Sequence, residues 1–79
     1  MQGEHLYKMA NQIGAFFAAE PDRAAAMEGV ANHLKRFWDP RMRKQIVQMV
    51  DERHAGLQPL VEEAIRVHRE RLLGLQHAG

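Results

Sequence analysis

Phe37-Trp38-Asp39-Pro40-Arg41-Met42-Arg43 is the stretch that decides the fold. It holds the only tryptophan, one of three prolines and the densest positive charge in the chain. Proline has a fixed φ and no N–H, so Pro40 cannot sit in a helix interior but suits a first helical position. Its ring pushes Asp39 out of the α region, and a helix arriving from the N-terminal side must stop by Trp38 or Asp39. Asp39 then stands as N-cap of the next helix, its carboxylate accepting from an orphan amide near Met42. Its charge also suits the positive end of that helix dipole. The stretch therefore reads as an elbow between two helices.

The other prolines extend the same reading. Pro21, Pro40 and Pro59 are spaced by 19 residues. Before Pro21, Leu6, Met9, Ala10, Ile13, Phe16 and Phe17 recur at three and four, which predicts a helix from about Glu4 to Ala19. Gly14 lies in a flat strip with Ala10 and Ala18. Glycine costs ~1 kcal/mol of helix propensity against alanine, so either a neighbouring helix approaches closely there or the glycine is merely tolerated. Glu20-Pro21-Asp22 should end this helix and start a second, with Pro21 at its first position. Met27, Val30, Ala31, Leu34, Phe37 and Trp38 give the second helix its apolar side, to about Phe37. A third runs from Pro40 to about His54, with Met42, Ile46, Val47, Met49 and Val50 inward. Gly56 reads as the residue just past its end, where a left-handed conformation suits glycine. Pro59 opens a fourth helix, preceded by Leu57, whose Leu60, Val61, Ala64, Ile65, His68, Leu72 and Leu75 share one face.

Aligning the chain on itself at 19 residues matches Met27, Ile46 and Ile65 but sets Leu34 on Arg53, so the spacing reflects similar helix lengths, not a solenoid. Short joints imply antiparallel or steeply angled neighbours. The expected architecture is all-α: a small bundle of three to four short helices joined at Pro21, Pro40 and Pro59. One domain should cover 1–79, frayed at 76–79.

With 79 residues and no cysteine, neither a large core nor a disulfide stabilises the chain, which makes a partner surface a reasonable expectation. No apolar run approaches a membrane span, and the N-terminus has no secretory h-region, so a cytoplasmic, non-membrane protein is expected. The net charge of +1 hides an asymmetry. Between His33 and Lys44, Lys35, Arg36, Arg41, Arg43 and Lys44 face one acid, Asp39. Such a block can steer an acidic partner, or can be the solvated faces of two helices.

Catalytic chemistry is sparse. Serine, threonine and cysteine are all absent, which removes those nucleophiles. The five histidines form no i,i+4 pair, so no metal site is expected. The adjacent pairs Asp51-Glu52 and Glu62-Glu63 point to different helix faces and make poor two-carboxylate catalysts. His68 should be half-buried. With no phosphate-binding glycine loop either, the chain is not expected to be an enzyme, nor to hold a cofactor of its own. The basic block next to Phe37 and Trp38 invites a nucleic-acid reading, but the pI of about 8.3 is low for that class. A protein interface fits better, because Arg and Trp commonly carry interface energy. Arg41 and Arg43 can each grip a carboxylate bidentately. Trp38 is either an anchor for a partner or core packing at the joint. Asn11 and Gln12 either reach a partner's backbone or face water.

Met9-Ala-Asn-Gln-Ile-Gly-Ala-Phe-Phe17 and His33-Leu-Lys-Arg-Phe-Trp-Asp-Pro-Arg-Met-Arg43 resemble signature segments of the small delta subunit of NAD-dependent formate dehydrogenase. The likeness runs from about Leu6 to Arg66, and nothing is carried onto Val67–Gly79. The resemblance implies an accessory role beside a cytoplasmic, molybdenum-containing enzyme that oxidises formate to carbon dioxide and reduces NAD. Molybdopterin, iron–sulfur clusters and flavin would then belong to the larger subunits. The small subunit would help produce or maintain active enzyme, for instance at cofactor insertion. On this reading the elbow docks on the large catalytic subunit, with Phe37 or Trp38 as apolar anchor and Arg41 and Arg43 engaging acids. Arg36, Lys44, Asn11 and Gln12 would flank the contact, and Asp39 and Pro40 would hold its shape. The alternative is a stand-alone module that self-associates as a homodimer; nucleic-acid binding ranks below both.

Overall fold

An aspartate side chain caps the helix that follows each of the first two joints in the computed structural model, which describes residues 2–52 and 56–74. Helix α1 spans Gln2–Phe17, α2 Arg23–Phe37, α3 Pro40–Asp51, α4 Pro59–Val67 and α5 Arg69–Leu72. No strand occurs among the described residues. The fold is all-α, four helices of useful length plus a single-turn fifth. The radius of gyration is 11.7 Å, close to the ~12 Å of a compact chain of this length.

The first joint differs in detail from expectation. α1 stops at Phe17, where the Ala18 amide still bonds Gly14 O and the Glu20 amide closes a turn on Phe17 O. α2 starts only at Arg23, so Pro21 lies outside it. The physical reason is Asp22: its carboxylate accepts from the Ala24 and Ala25 amides at 3.0 and 3.4 Å and takes the cap itself. α3 begins at Pro40 as the proline requires and ends at Asp51, short of His54, which lies outside the described residues. Glu52 caps it, donating to Gln48 O. Gly56 has φ of +119°, yet it stands in the loop beyond that cap instead of directly after the helix.

The fourth helix does not run through to Leu75, which lies outside the described residues. His68, at φ −105° and ψ 23°, ends α4 and begins α5. Tertiary contacts explain the break. It brings Leu72 into the core, sends Arg69 to Asp51 on α3 and sends Arg71 to Glu28 and Asn32 on α2. The expected frayed end at 76–79 also lies outside the described residues.

The core gathers Leu6 and Ala10 of α1, Val30, Leu34 and Trp38 around α2, and Ile46, Val47, Met49 and Val50 of α3. Val61, Ala64 and Ile65 of α4 and Leu72 of α5 complete it. α4 lies across the other helices and touches all of them. Its approach to α1 depends on Gly14, where an added Cβ would overlap Val61 Cγ2. Of the two readings of Gly14, close helix approach is therefore the one realised. Asn11 fastens the α3–α4 loop. Its Nδ2 donates to Gly56 O at 2.7 Å, and its Oδ1 accepts from the Gln58 amide at 2.9 Å.

Candidate functional site

At the elbow, α2 ends on Trp38 in extended backbone, with the Trp38 amide still donating to Leu34 O. Asp39 remains extended, its Oδ1 accepts from the Met42 amide at 2.9 Å, and Pro40 opens α3. Two helices thus meet with only Trp38 and Asp39 between them.

Two of the residues singled out for docking turn inward. Trp38 is 6% exposed and belongs to the core. It lies four residues after Leu34, on the face of α2 that carries Val30 and Leu34, so packing rather than anchoring is what this structure shows for it. Arg43 is 9% exposed. It shares the i, i+3, i+4, i+7 face of α3 with Ile46, Val47 and Val50, which carries it under the surface. There its NH1 donates to Leu72 O at 3.2 Å, while Nε has no hydrogen-bond partner among the described residues. Instead of a carboxylate, the guanidinium meets the negative end of α5, where last-turn carbonyls lack helical partners. Asn11 is likewise engaged within the chain, at the α3–α4 loop. Gln12 is exposed.

What the elbow presents outward is Phe37, Arg36, Arg41 and Lys44. Phe37 is 67% exposed, and the Arg36 guanidinium carbon stands 5.6 Å from its ring centre, within cation–π range. Among the described residues, no ion pair involves Arg36, Arg41 or Lys44. The cations that are paired lie elsewhere: Arg23 with Glu63, Arg66 with Glu62, Arg69 with Asp51 and Arg71 with Glu28. The four arginines paired with carboxylates thus lie outside the basic block, while Arg36, Arg41 and Lys44 within it stay exposed. His68 is half-buried, its Nε2 3.7 Å from Glu28 Oε2. A groove between α3 and α4, lined by Val50, Asp51, Glu62 and Arg66, has its charges already engaged in those pairs.

One exposed feature escaped the reading of periodicity. The periodicity sets both Phe16 and Phe17 on the apolar face of the first helix, but Phe16 is 77% exposed and only Phe17 packs on the core. Adjacent helical residues differ by ~100° in direction, and at the last turn of α1 it is Phe17 whose direction meets α2. Phe17 lies against Gly29, where an added Cβ would come 2.5 Å from its ring. The signal in the sequence was the doublet itself.

A family model described as NADH-dependant formate dehydrogenase delta subunit FdsD matches residues 5–65. No curated protein and no solved structure matches the chain.

Proposed function

The chain belongs to the NADH-dependent formate dehydrogenase delta subunit family, and on that premise we propose that it is a non-catalytic accessory subunit. It binds the large catalytic subunit and its neighbours in the cytoplasm and supports the formation and stability of active enzyme, acting at molybdenum-cofactor insertion. Molybdopterin, iron–sulfur clusters and flavin reside in the larger subunits, and this chain contributes none of the groups that react with formate or NAD.

The observation that carries the reading is the free cationic face of the elbow. Arg36, Arg41 and Lys44 stand outside the internal ion pairs, beside a largely exposed Phe37. Exposed charges of one sign accelerate encounter with an acidic surface, and an exposed aromatic supplies a centre to be desolvated. Arg41 presents a fork that matches a carboxylate bidentately. The absence of serine, threonine and cysteine from the chain agrees with a binding role.

The test is made in cells that produce the larger subunits with and without this chain. Enzyme purified without it should contain less molybdenum and oxidise formate more slowly. Equal metal content and equal activity would overturn the accessory role. Placement of the contact is tested with Arg36→Glu/Arg41→Glu; undiminished capture of the large subunit by the folded double variant would remove the elbow from the interface.

A further inference from the structure

The exposed phenylalanines are not isolated. Phe16 meets Phe17 edge-on with ring centres 5.0 Å apart, Phe17 meets His33 at 6.5 Å, and His33 meets Phe37 at 4.7 Å. Arg36 closes the far end over Phe37. Four rings therefore form one row from the end of α1 to the end of α2. A shallow groove beside it is lined by Phe17, Gly29, Asn32, His33, Arg36 and Phe37. The two ends of the row are the two most exposed large apolar side chains among the described residues. A contiguous apolar strip of this kind marks an interaction site, whereas scattered single residues do not.

We infer that this row receives an amphipathic helix of a larger formate dehydrogenase subunit, one that carries an apolar side chain per turn and acidic side chains on the edge facing Arg36. The inference rests on the accessory-subunit reading and names the surface and the partner chemistry. The exposed members of the row, Phe16 and Phe37, ask for apolar side chains at both of its ends, and an amphipathic helix supplies them from one face, as in helix-in-groove recognition. The groove also holds Arg36 and His33 and no acidic residue, so the complementary edge is acidic. A second copy of this chain fits worse, because a two-fold contact sets the same face on both sides and brings Arg36 and its neighbours toward like charge.

The experiment titrates the purified full-length chain against the purified larger subunits prepared without it. Phe16→Ala and Phe37→Ala should each weaken binding ~30-fold, as loss of an interface hot spot does. Both residues are exposed, so their melting curves should match the wild type. Glu70→Ala, an exposed change on α5, should bind as wild type does. Folded Phe16 and Phe37 variants with unchanged affinity would overturn the aromatic row and leave the accessory role standing. A wild-type chain that does not bind the larger subunits overturns both. Photo-crosslinking with benzoylphenylalanine at position 16 then identifies the occupant. An acidic amphipathic helix in the crosslinked peptide supports the inference; an extended or basic segment overturns it. A wild-type dimer dispersed by Phe16→Ala in sedimentation, with no crosslink to the larger subunits, would assign the row to a second copy instead.

Discussion

Asp39 shows how much a single side chain decides here. Its bond to the Met42 amide satisfies one orphan donor of α3, and Asp39→Ala should cost about 1 kcal/mol in urea unfolding. Asp22 performs the same task for α2 and, by doing so, moves the helix start past Pro21. Trp38 is the larger commitment. Because it is buried with Leu34 and Ile46 in the core, Trp38→Ala should destabilise by about 3–5 kcal/mol. Arg43 gives a sharper test, since its buried charge has a carbonyl partner and no carboxylate. Arg43→Glu places a buried anion against the Leu72 carbonyl and should cost more than about 3 kcal/mol, whereas Arg43→Met should change stability little. Equal losses from the two, read from the midpoint of urea unfolding, would show that the charge itself is not what the site depends on.

At the scale of elements, the contact between α1 and α4 is limited by one missing methyl group. Gly14→Ala gains up to ~1 kcal/mol in helix propensity, but the new Cβ collides with Val61, and overpacking of this kind costs ~1–3 kcal/mol. The net effect should be destabilising, and Val61→Ala in the same chain should recover part of it. Simple additivity in that double-mutant cycle would mean the two helices do not meet there. The α4–α5 break is set from outside the segment. Leu72 enters the core, and Arg69 and Arg71 bond to α3 and α2 respectively. Leu72→Ala should therefore loosen α5 ahead of global unfolding, visible as faster amide exchange at Arg69–Leu72 than in α4.

Across the whole molecule, charge is distributed so that internal pairs tie α2, α3, α4 and α5 together while the elbow remains cationic. No helix among the described residues is long and apolar enough to cross a membrane. A chain of 79 residues without disulfides has a small margin of stability. Binding to the native state should raise it, by ~2.7 kcal/mol when the partner is present at 100 times its dissociation constant. The melting temperature of the chain should accordingly rise when the larger subunits are added. The Arg36→Glu/Arg41→Glu chain should melt alone as the wild type does but show a smaller rise, and the wild-type association rate should fall as salt is added.

The sequence by itself determined the four longer helices, the end of α2, the starts of α3 and α4, and the elbow. Those features depend on interactions within a few residues: a proline's missing amide, an aspartate's reach to the next turn, apolar side chains recurring every third or fourth position. The family likeness was legible too, in the segments Met9–Phe17 and His33–Arg43. Tertiary structure decided which side of each helix faces inward when two candidates compete. Phe17 rather than Phe16 packed inward because α2 lies on that side of α1, and Trp38 rather than Phe37 took the core because it falls in line with Val30 and Leu34. Arg43 went under the surface because α3's register left it no other side, and Asn11 closed on a loop 45 residues away in the chain. The aromatic row belongs to the same class of fact: it joins residues from two helices whose adjacency depends on packing, which no local spacing encodes.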